Sequence, residues 1–207
     1  MKPARLEQLA DGIFAIIMTI LVFDIKAPIL ASPGNIYELG AAIAAMTPIF
    51  LSYLLSFALL FTYWRAHHFF VSVYAKTIDT ELTNLNAVFF FFLGLVPFST
   101  SLLGKYSDNQ LSIIIFGVHT IIIGFCLFFI RSYVLNSDHI KNIEVNSAEI
   151  HRGTIRIFVP IFSALLAIIL SFADKKFSLG LFTFAVLFNF SHTSTLVINK
   201  FFGESGK

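Results

Sequence analysis

Five runs of this chain carry no charged residue for long enough to cross a lipid bilayer: 39–64, 82–104, 109–130, 157–173 and 177–199. The hydrocarbon core is about 30 Å thick, which asks for roughly 17–25 apolar residues in a helix. Inside it no water is available to the backbone, so each run must satisfy its N–H and C=O groups internally as a helix. Composition agrees: charged residues are 13% of the 207, against about a quarter in soluble domains, and Phe alone occurs 26 times. Mean hydropathy is +0.84.

A sixth span opens the chain and is of a different kind. Only residues 12–23 there are free of charge, roughly 18 Å of helix at about 1.5 Å per residue. To reach across the membrane this helix must carry Arg5 or Asp11 into it. Ionisable groups at such depth are costly unless they face protein or water, so the first helix belongs at the centre of an assembly, beside a pathway.

The expected fold is therefore an all-α integral membrane protein, a single domain over 1–207 with six helices at about 5–26, 47–74, 82–104, 109–131, 156–173 and 177–200. Thr47-Pro48 suits the start of the second helix and Gly104 the stop of the third. The polar segment 136–153 reads as a solvated hairpin. No repeat or linker divides the chain, and asparagines 84 and 86 are expected to open the third helix. With the N-terminus inside, ten of the 14 Lys and Arg fall on cytoplasmic segments and four (Lys26, Lys105, Lys175 and Lys176) outside. That bias puts both termini in the cytoplasm. It also accounts for the net charge of +2 without nucleic acid as a partner. Asp11, just before the first apolar run, and the lack of a clear A-x-A site argue against a cleaved leader.

This topology brings scattered polar residues to one depth: Arg5 and Asp11 on the first helix, Trp64, His67 and His68 on the second, Asn84 and Asn86 on the third, and Ser191, His192 and Ser194 on the sixth. Trp64, His67 and His68 are spaced i, i+3, i+4 and share a face able to meet Asp11. The plainer reading is a belt tryptophan beside two histidines in headgroup water. The single Cys126 lies in an apolar run and reads as a packing residue.

At this point the residues resemble a family. Arg5-x-x-x-Leu9-Ala10-Asp11-Gly12 is similar to the R-x-x-x-F-S-D signature that opens the first helix of the transmembrane protein 175 potassium channels, with Leu9 and Ala10 standing for its Phe and Ser. The resemblance continues through Trp64-x-x-His67-His68 and Val96-Pro97-Phe98-Ser99-Thr100-x-Leu102-Leu103-Gly104, and suits the prokaryotic branch. It implies a homotetramer in which four copies of the first helix line a pore with no re-entrant filter; no T-V-G-Y-G type loop occurs here. It further implies a constriction beginning five residues after the motif Asp, at Ile16, with layers at Thr19 or Ile20 and at Phe23. On a helix 16, 20 and 23 fall within about 60° of one another, and 19 borders them.

A ring of Ile16 offers an ion no ligand and closes by dewetting, while Thr19 hydroxyls could replace part of a hydration shell, or else bond back to the helix. Asp24, at the far end of the helix, is either a carboxylate ring at the outer mouth or a solvated loop residue. The proline-containing stretch 27–34 reads as a structured outer loop that caps the mouth. The function these features imply is passive, potassium-favouring cation conduction in the cytoplasmic membrane, with monovalent cations as permeant partners, no cofactor and no metal. A proton-coupled secondary transporter is the alternative. A histidine-dependent membrane enzyme or metal carrier is disfavoured: the six histidines form no convergent ligand set, and neither G-x-S-x-G nor H-E-x-x-H occurs.

Overall fold

The structure is a computed structural model that describes residues 3–32, 34–142 and 147–190. Among them the chain is helical, with one isolated bridge between Ala75 and Lys141. The helices are α1 (Pro3–Ile20, continued by a 3-10 turn, Leu21–Asp24), α2 (Ile36–Ala45), α3 (Thr47–His68, continued by a π turn, Phe69–Val73), α4 (Thr80–Gly94), α5 (Val96–Lys105), α6 (Gln110–Asn136), α7 (Ser147–Leu170) and α8 (Lys175–Phe190).

Five spans are long and apolar enough to cross a membrane: Pro3–Asp24, Thr47–Val73, Thr80–Lys105, Gln110–Asn136 and Gly153–Leu170. The expected sixth span corresponds to α8, whose described part is 16 residues. Several boundaries differ from the sequence reading. The expected third helix, 82–104, is two helices, α4 and α5, meeting at Leu95. Pro97 explains the break, since it has no N–H to donate and its ring crowds the carbonyl one turn earlier. The fourth helix runs five residues further than expected, to Asn136, and α7 begins at Ser147 rather than at 156, taking the second part of the expected hairpin into helix. The apolar run before Thr47 forms the separate helix α2, which buries none of its side chains.

Side-chain caps set the starts. Asn35 Oδ1 accepts from the Tyr37 and Glu38 amides at the head of α2. Glu38 reaches back to the Ala31 and Ser32 amides at 2.7 and 3.0 Å, which orders the loop before it. Asp79 caps α4 through the Leu82 amide, so α4 starts at Thr80 and asparagines 84 and 86 lie in its second turn rather than opening it. Asn109 caps α6.

The bundle packs α3 against α1, α5, α7 and α8, and α6 against α4, α5 and α7. Glycines let α6 and α7 approach closely. A Cβ added at Gly124 would stand 2.5 Å from Ile161, and one at Gly117 2.8 Å from Ile168. Small residues two turns apart form this kind of contact in membranes, where close van der Waals packing replaces the hydrophobic drive between helices. Two buried hydroxyls bond across the same core: Tyr63 donates to the Thr120 carbonyl at 2.9 Å and Thr100 to Ser56 Oγ at 2.7 Å.

Candidate functional site: the two faces of the first helix

The pattern along α1 divides it in two. Leu6, Ala10, Phe14, Ile17 and Leu21 recur at three- and four-residue steps and are buried against the rest of the chain. The opposite side carries Leu9, Gly12, Ala15, Ile16, Thr19, Ile20 and Phe23, all exposed. Ile16 is 59% exposed and Phe23 72%, whereas neighbouring Ile17 is 6% exposed. A Cβ added at Gly12 would meet nothing within 4 Å. Exposed apolar side chains also occur on other helices, Phe91, Phe129 and Phe162 among them; what sets this face apart is that its helix also carries Arg5, Glu7 and Asp11.

Thr19 sits on the open face. Its hydroxyl donates back to the Ala15 and Ile16 carbonyls, at 2.9 and 2.8 Å. The proton is thus committed to the helix, and the oxygen's lone pairs remain for an outside donor or cation. Asp24, read from sequence as a mouth residue, accepts from Ser101 Oγ at 3.0 Å and has Lys105 Nζ at 3.8 Å. It ties the end of α1 to α5 within the chain.

At the other end, α1 is held to α3 by a polar layer. Trp64 Nε1 donates to Asp11 Oδ1 at 2.7 Å, and His68 Nδ1 is 2.7 Å from Glu7 Oε1. The Trp64 and His68 rings stack at 6.0 Å, so the two contacts brace each other. His67 does not join them. Positions 67 and 68 point about 100° apart on a helix, and the structure sends His67 inward to α4, where Nε2 lies 2.6 Å from Asn86 Oδ1. Asn86 Nδ2 donates to the Leu82 carbonyl, which leaves Oδ1 as the acceptor and makes His67 Nε2 the donor. Both residues are buried, and the imidazole lies face to face with Phe89 at 5.4 Å. Arg5 is exposed and forms no ion pair among the described residues, so it is not the partner of Asp11. Ser191, His192 and Ser194 lie outside the described residues.

Two participants, Glu7 and His119, have no place in the sequence reading, and Asn86 enters it only as a polar residue at the start of the third helix. His119 Nε2 donates to the Phe92 carbonyl beside the α4–α5 break, and its Nδ1 is 2.8 Å from Ser99 Oγ. A polar side chain in an apolar run one turn from a proline break is the available signal. Among the described residues no three His, Cys, Asp or Glu side chains are placed to hold a metal.

The chain is similar to known proteins. Residues 5–97 match the family described as the endosomal/lysosomal potassium channel TMEM175. A protein of Streptomyces collinus named as a potassium channel is 33% identical over 105 residues, 51% of this chain and 49% of that one; the chain spans about half the length of that relative. A Chryseobacterium protein of the same description is 26% identical over 187 residues, covering 90% of this chain and 92% of its own. The crystal structure of a TMEM175 homolog from Chamaesiphon minutus, titled a lysosomal potassium-selective channel, superposes with a TM-score of 0.75 over 90% of this chain and 95% of that one, at 24% identity.

Proposed function

We propose that the chain is a member of the TMEM175 family, whose model residues 5–97 match, and that it is a potassium-favouring cation channel. In this reading it is a homotetramer of the cytoplasmic membrane with both termini inside, four α1 helices surround the path, and ions move passively down their electrochemical gradient. The observation that carries this reading is the open apolar face of α1, centred on Ile16 and running to Phe23. The same helix bears Arg5, Glu7 and Asp11, and its charge-free part is too short to face lipid across the full hydrocarbon thickness. A central axis, with water at its polar end, suits both properties. The relatives named as potassium channels support the same choice.

Four Ile16 side chains around an axis present no oxygen to an ion. Such a ring blocks the path when narrow enough to dewet and conducts once it widens and stays wet. Thr19, one turn further, turns free lone pairs to the same side, and a ring of those oxygens replaces part of the hydration shell. Potassium surrenders its water more readily than sodium, so this ring favours it. Ile20 and Phe23 add apolar layers beyond. Asp11 and Trp64 anchor the helix at the opposite end and do not bind the ion.

Flux from proteoliposomes tests the proposal. Potassium leaves down its gradient without a proton gradient, rises without carrier-like saturation and exceeds sodium flux. Ile16→Asn wets the ring, raises flux and weakens the potassium preference; Ile17→Asn chiefly damages packing. A strict requirement for a proton gradient points instead to the coupled transporter, and equal behaviour of the two well-folded variants removes Ile16 from the path.

A further inference from the structure

At the end of the bundle where α1 meets α5, two cavities join at Ser107 and Asp108. One, of about 630 Å³, is an apolar groove between α3, α5 and α8, lined by Leu51, Leu55, Leu103, Leu179 and Leu187. It falls within the range of ligand pockets, about 300–1,000 Å³. Lys176 also lines it. The second, of about 570 Å³, is polar and more open, and is bounded by Lys105, Lys175, Asn109 and Gln110. Gln110 Nε2 is buried and has no hydrogen-bond partner among the described residues, which leaves a donor unsatisfied in a polar recess. A buried donor without a partner is costly unless something fills the site.

A hydrophobic slot continuous with a polar recess has the shape of one amphiphile, an acyl chain below and a headgroup above. Charge chooses among headgroups. Lysines stand on both sides of the junction and suit a phosphodiester, while Asp108 lines both cavities and suits an ammonium. Among the described residues, Lys105 alone of these charges is paired, with Asp24 at 3.8 Å. An anionic headgroup without an amine leaves Asp108 opposed to phosphate; a choline headgroup has no N–H to donate to it. We propose that this paired cavity binds a phospholipid of the phosphatidylethanolamine class. The chain lies in the leucine groove, the phosphate is held by Lys175, Lys176 and the Gln110 amide, and the ammonium by Asp108.

Native mass spectrometry of the full chain, reconstituted in turn with ethanolamine, glycerol and choline phospholipids of the same acyl chains, tests this. The wild type retains the ethanolamine lipid in preference to the other two. Lys176→Ala weakens its retention by roughly five-fold, the scale of one charge near a lipid surface. Asp108→Asn removes the preference for ethanolamine over choline while lipid is still bound. Gly180 lines the apolar groove and a Cβ there meets nothing within 4 Å, so Gly180→Phe fills the slot and expels all three lipids. Equal retention of the three lipids by the wild type, or a wild-type pattern in both Lys176→Ala and Asp108→Asn, overturns the proposal. So does dissociation of the oligomer by Gly180→Phe, which would put a second copy of the chain in the groove.

Discussion

His67 and His68 are adjacent in sequence yet have unlike environments. His68 is near the surface against Glu7, and His67 is sealed among Phe14, Phe89 and Phe90 with one polar partner, Asn86. A buried donor whose acceptor is removed costs about 1–3 kcal/mol, whereas replacing both partners by apolar groups of similar shape is nearly neutral. Asn86→Leu therefore lowers thermal stability sharply, and adding His67→Phe restores most of the loss; an additive loss in the double variant would deny the pairing. At the surface layer, Trp64→Phe removes the donor to Asp11 while keeping an aromatic ring against His68. It costs on the order of 1 kcal/mol per subunit. In a double-mutant cycle with Asp11→Asn, a coupling of about 0.5 kcal/mol or more marks direct contact, and none is expected between Asp11 and His67. Trp64, His68 and Asp11 were legible from spacing and depth. The partition of His67 to α4 was not, because a periodicity argument places residues on a face without saying which helix the face meets.

The elements show where patterning speaks and where it is silent. Charge-free length located the spans, since nothing else in a membrane protein is subject to so strict a rule. It could not locate the break at Leu95, because the residues on either side are equally apolar; Pro97 was the local clue, and it was absorbed into a motif. The start of α4 depends on Asp79, which accepts from the Leu82 amide, from the Tyr133 hydroxyl at 2.6 Å and from His139 at 3.0 Å. Burial pushes its carboxyl up, but these bonds outweigh it and hold the pKa down, from 3.8 to about 2. A depressed carboxyl contributes stability that is present above the unfolded value and lost as pH falls through the folded one. The contribution of Asp79 accordingly disappears between about pH 4 and pH 2. Asp79→Ala removes that acid dependence and costs about 1 kcal/mol from the lost cap. Acid unfolding curves of wild type and variant check it: they converge as pH approaches 2 if Asp79 is responsible, and stay parallel if it is not.

At the scale of the molecule, the described residues form a packed bundle whose first helix has one packed and one open face. The inner side of α1 is as buried as any core helix, while the outer side of the same helix exposes isoleucine, leucine and phenylalanine. Sequence alone announced this helix through its short charge-free length. The family resemblance and the spacing of 16, 20 and 23 set Ile16 apart from Ile17, and the burial of Ile17 beside an exposed Ile16 shows the two faces. The account stands on the claim that the open face meets permeating ions. Cys126 is the one cysteine of the chain and is half-buried and free, so a Cys126→Ser background admits single introduced thiols. The decisive measurement is potassium flux from proteoliposomes before and after a small cationic thiol reagent, with Ile16→Cys compared with Ile17→Cys. The account predicts that modification at 16 cuts flux several-fold and that position 17 neither reacts nor changes. Full labelling at 16 with flux unaltered would contradict it.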